Sequence, residues 1–174
     1  MNYMIKEIEK EDLYDYMYVH TYAWKETYRG IIDDDFLDKI VLELDQTVER
    51  KVSKFDQIKK EEPEYTRFIL YVNNEVVGAF SVSKSNEEKY PDSGELCSFY
   101  LLDKVKKQGY GRIMFERAVK ELKEMNYHDM VIGCLKDNNN ANMFYQHVGG
   151  KLVMEKIKNI GGKDYKENIY YVEI

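Results

Sequence analysis

The chain has little of what would stabilise or place it by unusual means. Its 174 residues contain only two cysteines, Cys97 and Cys134, both in apolar stretches. Two are too few for a disulfide framework, and they match no metal-ligand spacing. That excludes a stapled secreted scaffold, gives no reason to expect a metal, and points to a reduced, cytoplasmic setting. The only prolines are Pro63 and Pro91, each where an element is expected to end. There is no Pro/Gly-rich linker, low-complexity tract or internal repeat, so residues 1–174 read as one domain. No apolar run approaches the roughly 18 residues of a membrane span. The segment Met1–Glu7 lacks the basic and apolar regions of a secretory signal, so no membrane partner is expected. A chain of this length buries roughly 70% of its unfolded surface, enough to fold without disulfides or metal.

What is present is ordinary soluble composition, with 44% hydrophobic and 33% charged residues. The 16 tyrosines are many, and nothing in the pattern accounts for them together. The net charge of −6 argues against nucleic acid as a partner. Its distribution says more. Residues 1–64 hold 10 basic against 17 acidic side chains, residues 65–174 hold 16 against 15. Solvated helix faces explain this simply; a cationic ligand beside the first third would explain it too.

The hydrophobic period changes along the chain. A short strand is expected over residues 2–9, then a helix whose stripe is Leu13, Met17, His20, Trp24 and Tyr28. Asp33, Asp34 and Asp35 open a second helix, and a third is expected over 46–62. After Pro63 the pattern is of strands: 67–72, an Asn73–Asn74 turn, 76–83, a polar loop over 84–93, and 95–102. A helix over 109–125, a strand over 128–135, a short helix over 141–147 and strands over 151–157 and 167–174 follow. The order β-α-α-α-β-β-β-α-β-α-β-β predicts a mixed α/β domain. Its sheet has six or seven mostly antiparallel strands, flanked by helices, with one parallel crossover between 95 and 135.

The segment Lys104–Arg112 joins a strand to a helix. Its Gly109 and Gly111, the backbone amides around them, and the basic Lys106, Lys107 and Arg112 make an anion site suited to a pyrophosphate. A helix-initiating turn with a solvated basic cluster is the plain alternative. A dinucleotide fingerprint would need glycine where Met114 stands, and the phosphate loop G-x-x-x-x-G-K-[ST] is absent. In context, Lys106-Lys107-Gln108-Gly109-Tyr110-Gly111 resembles motif A of the GNAT superfamily of N-acetyltransferases, [Q/R]-x-x-G-x-[G/A], with Lys106 in place of Gln or Arg. Asn138 to Tyr145 resembles the family's N-x-x-A-x-x-F-Y segment, after the matching strand. Ala23 to Gly30 looks like a subgroup of small microbial acetyltransferases that includes polyamine-acetylating ones. The resemblance covers nearly the whole chain.

The resemblance implies acetyl-CoA as cofactor. Its pantetheine would lie along Phe99, Tyr100 and Leu101, with the Leu101 amide facing the thioester carbonyl. Its pyrophosphate would sit on Lys107 to Arg112, Gln108 and Tyr110 included, with Lys106 adjacent and Asn138 on the pantetheine. The implied reaction is direct attack by a primary amine through a tetrahedral intermediate. Such an amine, with a pKa near ~10.4 if it is like lysine, must first lose a proton. Tyr145 matches the family's tyrosine and is the candidate general acid, against a role in packing beside Phe144. Glu95, sixteen residues before Gly111, matches the spacing of the superfamily's base glutamate; a solvated strand end or a water chain in its place stays open. His20 reads as a structural histidine. Tyr28, Asp33 and Asp35 are candidates to line an acceptor site, which their acidity would suit to a small cationic or polyamine-like amine. A protein lysine or N-terminal acceptor, and a non-catalytic acyl-CoA sensor on the same fold, are the competing readings. The resemblance leaves a homodimer open.

Overall fold

Strand and helix formation follow the change of hydrophobic period. The computed structural model describes residues 2–174. Strand β1 (Tyr3–Glu7) leads through a 3-10 turn into α1 (Leu13–Tyr28), α2 (Asp34–Leu42) and α3 (Leu44–Glu61). Strands β2 (Thr66–Val72), β3 (Glu75–Lys84) and β4 (Gly94–Leu101) follow, then α4 (Tyr110–Glu124), β5 (Asp129–Leu135), α5 (Asn139–His147), β6 (Lys151–Ile160) and β7 (Lys163–Glu173). This is the order that the sequence predicts. Asn73 and Asn74, at φ of 50° and 65°, turn β2 into β3 in the left-handed conformation that matches the twist of a hairpin.

The seven strands form one sheet in the order β1-β2-β3-β4-β5-β7-β6. Only β4 and β5 run parallel, because α4 carries the chain across between them. Alternation along each strand divides the core between two faces. On one, Ile69 and Ala79 meet Leu13, Val19 and Ala23 of α1 and Phe55 of α3. On the other, Phe68, Phe80, Leu96 and Ile132 meet Met114, Ala118 and Leu122 of α4. A smaller cluster of Tyr28, Ile32, Leu37, Leu135 and Ile160 fixes the end of α1 and α2 beside β5 and β6. Each large side chain so buried contributes about 1.5–3 kcal/mol.

Two departures from simple pairing place the site. Ser81 pairs with Ser98 and Val82 with Leu96, so Cys97 is an extra residue, a bulge that bends β4. Strands β4 and β5 pair only at Gly94, Glu95 and Leu96, opposite Met130, Val131 and Ile132. Beyond these they part, and the rest of β4 has an open edge. The hairpin β6–β7 also runs further than the sequence suggests, with Lys158 opposite Tyr165 and a Gly161–Gly162 turn where a longer loop is expected over 157–166. Polar residues on both faces hide the strand period there.

Candidate active site

A cleft of about 1210 Å³ opens where β4 and β5 separate. Phe99, Tyr100 and Leu101 of β4 form one wall, and Gly133 and Cys134 of β5 with Asn138 and Tyr145 of α5 form the other. Lys106, Lys107, Gly109, Gly111 and Arg112 close one end, and Tyr28 from the last turn of α1 borders the other side.

The closed end is built by backbone geometry. Lys107 at φ 61° and Gly109 at φ 90° coil the chain in the left-handed region just before α4 begins. The amides of residues 107–111 donate to no backbone carbonyl among the described residues, and no side chain caps the helix. Unclaimed amides at a helix N-terminus form an anion site. No acidic side chain lies in the first turn of α4 to compete for it. Lys106, held by the Thr27 hydroxyl at 3.1 Å and Asp103 at 2.6 Å, adds a fixed cation beside it. Of the other motif residues, the Gln108 side chain does not line the cleft; its Nε2 donates to the Lys104 carbonyl at 3.0 Å. Tyr110 does not line it either, its ring turning from the start of α4 into the core, edge-on to Tyr3.

The open edge of β4 supplies the second element. The amide of Leu102 donates to Val77 at 3.0 Å, so antiparallel alternation points the amides of Leu101 and Phe99 away from β3. With β5 splayed away, that edge faces the cleft, ready to pair with an extended ligand. A carbonyl placed against the Leu101 amide would be polarised by it.

Asn138 is the N-cap of α5, its side-chain oxygen accepting from Ala141 at 3.2 Å. Asn142, one turn on, binds the carbonyls of Leu135 at 2.9 Å and Asn138 at 2.8 Å and accepts from Tyr170 at 2.7 Å. This buried network locks α5 onto β5 and β7 and so fixes Tyr145 against the cleft. Tyr145 is 5% exposed, among Phe99, Phe144 and Tyr170. Burial, with the nearby Cys134 and Tyr100, holds its phenol well above the usual value, so it keeps its proton at neutral pH. Burial likewise pushes the Cys134 thiol up to about 12, with Glu167 adding to it, which keeps this cysteine protonated and a poor nucleophile.

Glu95 does not line the cleft wall; it lies on β4 opposite Val131, in the stretch where the two strands still pair. One of its oxygens accepts from the Asn86 amide at 2.9 Å. Burial raises its pKa, with Glu87 adding to this, while the Asn86 bond, Lys156 and Lys158 oppose it. Neither Asp33 nor Asp35 reaches the cleft. Asp33 caps α2 through the Phe36 amide at 3.1 Å and pairs with Lys163, so its carboxylate is already engaged. His20 lies outside the cleft too, stacked on Trp24 and edge-on to Tyr100. The sequence reading missed Glu26, Thr27, Ile31 and Cys134 as lining residues. The helical stripe places Tyr28 correctly in the core but does not show that the turn around it meets the splay.

The acetyltransferase (GNAT) family model matches residues 32–149. The chain belongs to that family. It is an acyltransferase of the N-acetyltransferase type, built as a seven-stranded mixed sheet flanked by five helices. It is 26% identical over 166 residues to YuaI of Bacillus subtilis, an N-acetyltransferase described as uncharacterized, covering 94% of this chain and 88% of that one. It also resembles the PaiA N-acetyltransferase of Thermoplasma acidophilum, solved with coenzyme A. That likeness spans 100% of both chains at a TM-score of 0.76 and 17% identity. YncA of Salmonella typhimurium, a putative acetyltransferase solved with acetyl-CoA, matches at a TM-score of 0.70 and 15% identity. The match covers 99% of this chain and 94% of that one. No helix among the described residues is long and apolar enough to cross a membrane.

Proposed function

We propose that this protein transfers the acetyl group of acetyl-CoA to the primary amine of a small cationic, polyamine-like acceptor. The observation that carries the reading is the splay itself. It leaves a free strand edge on β4 and, at one end, a run of unclaimed amides over 107–111, the length and polarity that an extended thiol ester with a pyrophosphate needs. Acetyl-CoA supplies the activated acyl group and a thiolate leaving group.

The chain's own residues do the rest. The amides of 107–111 and the fixed Lys106 hold the pyrophosphate. The Phe99–Leu101 edge aligns the pantetheine, and the Leu101 amide stabilises the oxyanion that develops at the carbonyl. Glu95, one residue before the cleft-lining Leu96 and with its pKa raised by burial, takes the proton from the acceptor's ammonium through intervening water. The freed nitrogen adds to the carbonyl carbon to give a tetrahedral intermediate, and the carbon–sulfur bond breaks as that intermediate collapses. Tyr145, whose phenol stays protonated, gives its proton to the departing sulfur and is restored by the second proton that the acceptor nitrogen sheds as the amide forms. Tyr28 borders the side on which the acceptor enters. The acidic first third of the chain favours a cation nearby, although Asp33 and Asp35 themselves stay outside the cleft.

Thiol release from acetyl-CoA, measured against polyamines, aminoglycosides, amino acids and lysine peptides, tests this. Turnover should concentrate on the small cationic amines. Tyr145→Phe should lower kcat by about 10²–10⁴-fold while leaving the Kd for acetyl-CoA within a factor of two or so. Turnover on lysine peptides alone would assign a protein acceptor. Binding of acetyl-CoA with no turnover on any amine by either form would assign a sensor.

A further inference from the structure

The sheet face opposite α4 carries a charge cluster beside the opening. Strand β6 supplies Lys156 and Lys158, β7 supplies Glu167, the 84–93 loop supplies Glu87, and β4 supplies Glu95. Glu167 is 4% exposed. One of its oxygens lies 2.7 Å from Lys158 and the other 3.6 Å from Lys156. Lys156 also pairs with Glu87, whereas Lys158 pairs with Glu167 alone among the described residues. Gly133 makes the space for this carboxylate, since a Cβ there would lie 2.8 Å from its Oε1. Gly133 is also the first residue of β5 beyond its last pair with β4, and it lines the cleft. The buried carboxylate therefore sits directly behind the point where the two strands part.

The charges in this cluster do not balance. Three carboxylates face two lysines, and both lysines are engaged by Glu87 and Glu167. Glu95 is left with one oxygen on the Asn86 amide and, among the described residues, no lysine or arginine nitrogen within 4.0 Å. Yet Lys156 and Lys158 lie near enough to act on its charge. A lysine is a flexible stem with a mobile charge. One released from Glu167 would find Glu95 as the remaining carboxylate in reach.

We propose that Glu167 is a positioning residue for the acetyl transfer: it holds Lys158, and with Glu87 Lys156, away from Glu95, so that Glu95 keeps a free oxygen for the proton relayed from the acceptor's ammonium. This rests on the reading of Glu95 as the base. The groups that face Glu95 are Glu87 from the loop, Cys97 from its own strand, and Lys156 and Lys158 from β6. Those that face Glu167 are the two lysines and Cys134 of β5. A lysine seated on Glu95 would favour its charged form and lower its pKa. It would also occupy the oxygen that the relay needs and set a like charge toward the acceptor's ammonium. The base must be ionised to act, so activity is lost as pH falls through its pKa. Seating the lysine therefore moves the acid limb of the rate profile to lower pH.

The experiment is Glu167→Gln in the full chain. It measures kcat and KM for the preferred amine of the panel as functions of pH, with acetyl-CoA affinity alongside. The acid limb of kcat/KM should move down by about one pH unit. KM for the amine at neutral pH should rise about ten-fold, with acetyl-CoA affinity unchanged. Adding Lys158→Met to Glu167→Gln should return both readouts most of the way, because the released cation is gone. Should Glu167→Gln not fold, Gly133→Ala displaces the same carboxylate from outside the cluster and should shift the limb in the same direction. An unmoved acid limb and amine KM would overturn the proposal, as would a loss of activity that Lys158→Met does not relieve. Glu95→Gln separates the two readings. If it keeps the wild-type acid limb and rate, the base assignment itself fails and the positioning role falls with it. If it abolishes the limb while Glu167→Gln leaves it in place, only the positioning role fails.

Discussion

Lowering the pH should destabilise this protein through one residue that the chemistry does not use. His20 lies on α1 with its ring stacked on Trp24 at 5.7 Å and edge-on to Tyr100 at 4.9 Å. Burial, and secondarily the charge of Lys51, lowers its pKa to about 4. The unfolded chain takes up a proton near the ordinary value of about 6.5, while the native ring does not. Between those values the unfolded state binds more protons, so stability rises with pH there and is lost as pH falls. At roughly 1.4 kcal/mol per pKa unit the full loss approaches about 3 kcal/mol, of which about 2 kcal/mol has gone by pH 5. His20 is only partly shielded from solvent, which trims this to about 1–2 kcal/mol at pH 5. Urea unfolding at pH 8 and pH 5 reads it, with His20→Phe as reference, because phenylalanine keeps an apolar ring that cannot titrate. The carboxylates contribute to both proteins and cancel in the comparison. Equal losses of stability in wild type and variant between the two pH values would refute the argument. So would a His20 resonance that titrates near 6.5. Because His20 lies outside the cleft, the same variant should keep the wild-type acid limb of kcat/KM.

Two structural predictions concern the supports of the site. A Cβ on Gly94 would lie 2.7 Å from Leu122 Cδ2, and Leu122 is fully buried in α4. Gly94→Ala should therefore cost about 1–3 kcal/mol by overpacking, read as a lower urea midpoint with an unchanged slope. Asn142→Ala strips the carbonyls of Leu135 and Asn138 and the side chains of Asn168 and Tyr170 of their shared partner. It should cost about 2–4 kcal/mol in the same assay. Because α5 carries Tyr145, it should also lower kcat more than it weakens acetyl-CoA binding.

Much of this was legible in the sequence because it is local. The change of hydrophobic period after Pro63 separates the helices from the strands, and the order of elements follows from it. Gly109 announces the left-handed turn and the open helix start, because the turn chemistry is written in adjacent residues, whereas the positive φ of Lys107 is not. What depends on pairing across the sheet is not written that way. Asp33 looks like a free acid, but its partner Lys163 lies 130 residues away, at the tip of a hairpin whose strands appear shorter in sequence than they are. Lys156 falls near the end of one expected strand, Lys158 beyond it and Glu167 at the start of the next, and only the register of β6 against β7 makes Glu167 a buried carboxylate behind Gly133.

The bulge at Cys97 is the least visible feature and the most consequential. In an unbroken strand Glu95 would share its face with Phe99 and Leu101, two residues apart at each step. Those side chains pack into the α4 core, as does Leu96. The extra residue shifts the phase: Leu96 and Phe99 fall on one face though three apart. Glu95 falls on the other with Ser98, whose hydroxyl lies 2.9 Å from that of Tyr16 on α1. A carboxylate thus leaves the apolar core for the face where β6 and β7 bring their charges, while the edge of the same strand still presents the Leu101 amide to the cleft. No glycine marks the bulge in Glu95-Leu96-Cys97-Ser98-Phe99, and its physical cause is the pairing of Ser81 with Ser98. The 2.7 Å contact between the two serine hydroxyls holds that pairing on the α1 side. The register that separates Glu95 from the Leu101 amide is therefore set by a hydrogen-bonded serine pair on neighbouring strands, seventeen residues apart in sequence.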